Sequence, residues 1–278
     1  AKSEEETRTM NILVCVKQVP DTTAVKIDPV TNTLIRDGVP SILNPFDGFA
    51  LEMALRMKEQ AGGTVTLLSM GPAQAESALR DGLAVGADEA FLVSGREFGG
   101  SDTLATSYIL SCAVKVLEAQ KGEKFDVIFC GKQAIDGDTG QVGPEMAEHL
   151  DYPQITYATE MVSCEAGKVR IRKETADGYD VLETTLPAVI SVTKTPFELR
   201  FPTVKKRLAA NRAQIVTITP QDMEEQIDLT WAGLKGSPTK VKKSFTPQHN
   251  KTCVLVEEDS LSVSAVKLVA LLSDAKKI

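Results

Sequence analysis

Only two histidines occur in the chain, His149 and His249, and neither has a metal-ligating neighbour at a useful spacing, so a histidine-based metal centre is excluded. The five cysteines, Cys15, Cys112, Cys130, Cys164 and Cys253, are scattered and form no CxxC pair, which argues against a metal ribbon or a redox motif. Cys15 and Cys130 lie in apolar strand-like runs, where a cysteine serves as a small buried hydrophobe. There is no GxSxG elbow and no HExxH, and neither GxGxxG nor GxxxxGK[ST] is present. No apolar run is long enough to span a bilayer, and residues 1–9 lack an apolar signal core, so no membrane insertion is expected. A net charge of −7 argues against nucleic acid as the main partner. With no nucleophile or metal centre of its own, the chain would work through a cofactor if it does chemistry.

What is present is an ordinary core-forming composition, 42% hydrophobic and 25% charged over 278 residues, enough for one main domain and an appendage. Residues 1–9 are polar and charged and are expected to be a disordered tail or an added remnant, with a natural start at Met10 and a cytosolic location. The most informative stretch is residues 131–145, GKQAIDGDTGQVGPE. It follows an apolar strand-like run (125–130, FDVIFC) and precedes a helix-like one (146–150). A strand that opens through glycines into a helix N-terminus is where free N–H groups and the positive helix end favour a phosphate. Gly131, Gly137, Gly140 and Gly143 permit close backbone approach, and Asp136, Asp138, Thr139 and Gln141 can bond hydroxyls or amides. A plain turn-rich βα loop fits the same spacing about equally well.

The first half alternates strands and helices. Strands are expected at 11–16 (NILVCV), 64–70 (TVTLLSM), 89–93 and 125–130. Helices are expected from Phe46 to the Gly62-Gly63 stop, over 73–84 and over 102–119, with Asn44 or Asp47 capping the first. Between the first strand and first helix, residues 26–36 read as a hairpin turning at 28–32, inside a long βα loop of the kind that carries function. From residue 154 the pattern turns to short strands, 155–162, 168–173, 179–185 and 188–193, read as an antiparallel extension. Residues 204–211 read as a short basic helix and 217–227 as a second helical candidate. After Trp231 the sequence is loop-like, with a basic run at 240–243 and Pro247, until an amphipathic helix over 260–277 carrying Val263, Val266, Leu268, Val269, Leu271 and Leu272. From pattern alone that arm packs equally well on its own domain or on another chain. The fold class is α/β, a doubly wound, mainly parallel sheet with an antiparallel extension and a C-terminal arm.

Taken together, VCVKQVPDT (14–22), NPFD (44–47), MGP (70–72), LAVGAD (83–88), GKQAIDGDTGQVGPE, LPAVISV (186–192) and RFPT (200–203) resemble the β subunit of electron-transfer flavoproteins. The resemblance runs in order from about Met10 to the C-terminus. It implies a nucleotide-binding α/β domain over 10–230, paired obligatorily with an FAD-bearing α subunit; the aliphatic side chains of the arm over 231–278 and its long preceding loop lead to the expectation that it packs on that subunit. By the same resemblance the nucleotide contacts fall on Cys15, Asn44, Pro45, Phe46, Asp47, Met70, Gly131, Lys132, Gln133, Ala134, Ile135, Asp136, Gly137, Asp138, Thr139, Gly140, Gln141 and Val142. Asp102, Thr103 and Thr106 resemble a further pocket-lining segment. A loop that begins with Val16 and Lys17 would lie against the flavin ring, and Lys17 could serve reduced flavin or be a solvated strand-end lysine. The family places a docking loop for a partner dehydrogenase near 196–211.

The β subunit holds AMP in the respiratory branch and a second FAD in the electron-bifurcating branch. DGDTGQVGP here lacks the acidic, cysteine-bearing form DDDCNQTGQ of the respiratory branch, and with VPDT it resembles the bifurcating one. Gly137 would leave room beside a pyrophosphate. The function implied is a hydride accepted from NADH on FAD, with electrons split between ferredoxin or flavodoxin and the α-subunit FAD. That second flavin serves an acyl-CoA or 2-hydroxy-acid dehydrogenase. The alternative is a non-bifurcating subunit holding AMP structurally, with no redox centre in this chain.

Overall fold

The computed structural model describes residues 9–21, 26–27, 34–35, 40–165, 167–239 and 253–278. The expected tail (except Thr9), the hairpin turn at 28–32, Thr22 and the basic run at 240–243 with Pro247 lie outside the described residues.

The strand-helix alternation of the first half builds the centre of a nine-stranded sheet. β1 (Met10–Cys15) leads by way of short β2 (Gln18–Pro20) and β5 (Ser41–Leu43), which pair with each other, into α1 (Pro45–Ala61). Between them β3 (Lys26–Ile27) and β4 (Leu34–Ile35) pair as the arms of the expected hairpin. There follow β6 (Gly63–Met70), α2 (Glu76–Val85), β7 (Glu89–Val93), α3 (Thr103–Lys121), β8 (Val127–Gly131) and α4 (Val142–Leu150). β6 and β7 step outward on one side of β1, and the chain then recrosses so that β8 lies on the other side, parallel to β1. That reversal opens a crevice at the carboxyl ends of β1 and β8.

Alternation along the strands serves two cores, as a sheet covered on both faces requires. Ile12 and Val14 face the layer holding α1 and α2 with Val65, Leu67, Val127 and Phe129. Leu13 and Cys15 face the layer of α3 and α4 with Leu68, Ile128 and Cys130.

The second half departs from the sequence reading in two places. β9 (Gln154–Glu165), β10 (Lys168–Thr175) and β11 (Gly178–Thr185) form the antiparallel extension. β12 (Ala188–Val192), however, is a central strand, parallel to both β8 and β9. All five of its residues are buried, which suits a strand covered on both faces and does not suit a half-solvated hairpin. The 217–227 segment is not one helix. Val216, Thr217 and Ile218 form β13 on the β7 edge, followed by a 3-10 turn at Pro220–Met223, because β-branched residues found an open edge to pair with. α5 (Val204–Arg212) forms where expected, α6 (Gly233–Gly236) is a single turn, and α7 (Leu261–Asp274) closes the chain.

Candidate functional site

The carboxyl ends of four parallel strands meet in one cleft. Cys15 of β1, Met70 of β6, Val93 of β7 and Gly131 of β8 all line it, and its volume is about 1110 Å³. The two residues expected to cap α1 build this cleft instead. Asn44 is the N-cap by position, yet its side chain makes no capping bond. Its Nδ2 donates to the Gln133 carbonyl at 2.9 Å and its Oδ1 accepts from Ile135 N–H at 3.2 Å, so it holds the 131–141 loop. Asp47, in the first turn of α1, accepts from Lys17 N–H at 2.7 Å and from Gly131 N–H at 3.2 Å. One buried carboxylate therefore ties the ends of β1 and β8 to a helix N-terminus. Gly131 has to be glycine, since a Cβ there would lie 2.2 Å from the Asp47 carboxylate. Burial pushes the Asp47 carboxyl up to about 7, against the pull of the Asn44 side chain and the Lys17 and Gly131 N–H groups.

The loop itself is folded by a turn. Gly137 and Asp138 N–H both donate to the Ala134 carbonyl, and the Asp138 carboxylate accepts from Gln133 Nε2 at 2.7 Å. Those two N–H groups are therefore spent internally. Thr139, Gly140 and the first turn of α4 from Val142, where a helix leaves its N–H groups without intrahelical partners, line the cleft. Gly140 has φ +66°, a conformation that side chains rarely adopt. Asp136 does not line the cleft; its carboxylate takes both bonds of the Lys17 ammonium, at 2.7 and 2.8 Å, across the mouth. Lys132 lies 5.8 Å from the centre of the Phe46 ring and 5.2 Å from that of Tyr157.

The far wall comes from α3. Asp102 caps that helix through Ala105 N–H and also accepts from Thr239 N–H. The Thr103 hydroxyl donates to the Gln141 side chain at 2.9 Å, which couples the N-termini of α3 and α4. Val16, Thr106, Lys132, Gln133, Ala134 and Thr139 line the cleft with these groups, whereas the expected contacts Asn44, Pro45, Phe46, Ile135 and Asp138 do not. The floor is sulfur-rich: Cys15 and Cys130 sit in register on neighbouring strands, and the Cys15 thiol points to Met146 Sδ at 3.8 Å. The neighbouring Cys130 thiol, then burial and the Asp47 carboxylate, push the Cys15 thiol well above its ordinary range, so it stays protonated and is no nucleophile.

Sequence reasoning missed one wall. Ser94, Gly95, Arg96, Gly99, Gly100 and Ser101 follow β7 and line the cleft with Thr217 of β13. The signal was available, because 94–101 repeats the strand-then-glycine pattern of the 131–141 loop. Among the described residues no group of acidic, histidine and cysteine side chains could hold a metal ion.

These features belong to a known family. The pattern of the "Electron transfer flavoprotein domain" matches residues 31–223. The chain is 52% identical over 272 residues to "Electron transfer flavoprotein subunit beta" of Megasphaera elsdenii, covering 97% of this chain and all of that one. It is 43% identical over 266 residues to "Protein FixA" of Azorhizobium caulinodans, covering 94% and 93% of the two chains. It is 42% identical over 266 residues to "Caffeyl-CoA reductase-Etf complex subunit CarD" of Acetobacterium woodii, covering 95% and 98%. With a family match across the parallel sheet and its cleft, and near full-length identity to β subunits, this chain belongs to the electron transfer flavoprotein family.

Proposed function

We propose that the chain is the β subunit of a heterodimeric electron-transfer flavoprotein of the bifurcating kind, and that its cleft holds FAD. The observation that carries this reading is the cleft, at the switch point of the sheet, closed by a glycine loop and a helix N-terminus. At about 1110 Å³ it has room for a dinucleotide. Gly137 points the same way. A Cβ built there meets no protein atom within 4 Å, and its φ is not in the left-handed region, so neither packing nor backbone calls for glycine. A side chain at that position would occupy ligand space.

FAD bound there would supply acceptance of a hydride from NADH and one-electron transfer onward, to ferredoxin or flavodoxin and to the FAD of the α subunit. The chain's own residues bind and orient. The N–H groups of Thr139, Gly140, Val142 and Gly143 would face the pyrophosphate, where charge-assisted bonds are strongest. Lys17 can exchange Asp136 for a ligand anion at the mouth. Asp47 fixes two strand ends, and the protonated Cys15 thiol of the floor adds no charge beneath the ligand.

A partner dehydrogenase for acyl-CoA or 2-hydroxy acids would dock on the 196–211 segment, where Phe201 is 96% exposed and Val204 79%. A relative named as a subunit of a caffeyl-CoA reductase complex favours the acyl-CoA class. α7 buries none of its residues on the described chain, which suits an arm that packs on the α subunit.

The test is the nucleotide content of the heterodimer, purified with its α subunit. Release and mass analysis, with the flavin absorbance spectrum, should find a second FAD per heterodimer. AMP in its place would overturn the bifurcating reading and leave a structural nucleotide in this chain.

A further inference from the structure

α1 carries a second buried carboxylate that takes no part in the cleft. The side chain of Glu52 is 3% exposed and faces the 197–200 segment, 148 residues away in sequence. Its Oε2 accepts from the Arg200 main-chain N–H at 3.1 Å and from Arg200 Nε at 2.9 Å. Its Oε1 accepts from Arg200 Nη2 and from Arg56 Nε, each at 2.9 Å. Arg200 also reaches Glu59, two turns further along α1, and the Arg56 guanidinium lies 4.0 Å over the Phe197 ring.

Burying such a pair is weak evidence for stability, since well-packed apolar residues of like volume often do as well. What an apolar residue cannot do is bond a main-chain N–H and the Nε–Nη2 edge of a guanidinium at once. That bond falls where the chain turns outward. Phe197 and Leu199 pack against the core, and the next residue after Arg200 is the almost fully exposed Phe201. The segment is fixed again downstream: Thr203 caps α5, and the Arg80 guanidinium donates to the carbonyls of Ala210, Asn211 and Ala213. Phe201 and Val204 thus project from a span held at both ends. Beside them, Lys205 and Lys206 form no ion pair among the described residues, which suits a partner with an apolar pocket rimmed by carboxylates.

We propose that Glu52 is a positioning residue for partner docking: by holding the Arg200 main chain and guanidinium it orders Phe201 and Val204 before the dehydrogenase arrives. The proposal rests on the docking reading above. Ordering an anchor in advance removes that loss of freedom from the binding step, so the effect falls on association with the partner and not on the chemistry.

The test uses the heterodimer and, as probe, an acyl-CoA dehydrogenase that the unmodified heterodimer reduces with electrons from NADH. Glu52→Gln keeps the side-chain shape and should raise the KM for the dehydrogenase about tenfold at unchanged kcat and unchanged nucleotide content. Amide exchange over 199–204 should quicken. Phe201→Ala should raise KM as well, and the double variant should be no worse than Phe201→Ala alone, because both act through one anchor. Should Glu52→Gln fold poorly, Arg200→Lys, which keeps the charge and loses the fork, replaces it in the same cycle. Quickened exchange with unchanged KM, or additive effects in the double variant, would overturn the positioning role while leaving docking intact. If Phe201→Ala and Val204→Ala both leave KM unchanged, the docking reading has failed instead.

Discussion

Asp47 has two roles that pull in opposite directions, and that conflict is measurable. It must accept N–H groups from Lys17 and Gly131 to join two strands, and it must do so from a buried position that disfavours its charge. With a carboxyl raised from 3.8 to about 7, the folded chain holds a proton that the unfolded chain releases near 3.8. Its contribution to stability is therefore fully present below about pH 3.8 and is lost as pH rises through 7, a change on the order of a few kcal/mol. Asp47→Asn has no such proton. The melting temperature of the unmodified protein minus that of the variant should shrink between pH 5 and pH 8, as followed by calorimetry; a constant difference would place the titration elsewhere. Sequence reading gave Asp47 and Asn44 as candidate caps, and the resemblance gave them as nucleotide contacts. The structure assigns Asn44 a different use, as a brace for the 131–141 loop 89 and 91 residues further along. No local pattern carries that information, because a capping side chain and a loop-bracing one look alike in sequence.

At the scale of elements, legibility followed how local the cause was. α1, α2 and α3 end where glycines stop them, and the strands of the first half fall within a few residues of their apolar runs. β12 and β13 were misread because their identity depends on what lies beside them: β12 slots between β8 and β9, and β13 completes an edge. The 131–141 loop was legible from its glycines as a candidate anion site, and the structure places it on the cleft; the division of its N–H groups was not legible. Only the fold of the turn shows that 137 and 138 bond inward and leave the donors to 139 and beyond. On the FAD reading proposed above, that division leaves Gly137 to contribute space, since its own N–H bonds inward. Gly137→Asp should fold normally, since its Cβ meets nothing, and should lower FAD retention by about tenfold or more through bulk and charge beside a pyrophosphate. Flavin retained after gel filtration measures this, and full occupancy would reduce the position to a mark of ancestry.

For the molecule as a whole, the open question is where its apolar surface goes. The parallel sheet and its two cores are complete, with Phe125, Phe129 and Leu13 fully buried. α7 is the opposite. Leu261 is 91% exposed, Val266 71% and Val269 54%, on a helix that no described part of the chain buries. No helix among the described residues is long and apolar enough to cross a membrane, so a bilayer-spanning role does not account for this surface. We propose that a protein partner covers it, since each Val or Leu fully buried there would contribute roughly 1.5–3 kcal/mol. The electron-transfer flavoprotein reading names that partner as the α subunit. Deleting the residues after Asn250 removes α7 without touching the sheet, the cleft or the 196–211 segment. The truncated chain should keep its secondary structure and a cooperative melt, yet associate with the α subunit at least tenfold more weakly in sedimentation velocity. A heterodimer of unchanged affinity would return α7 to its own domain, and the truncated chain would then melt at a lower temperature.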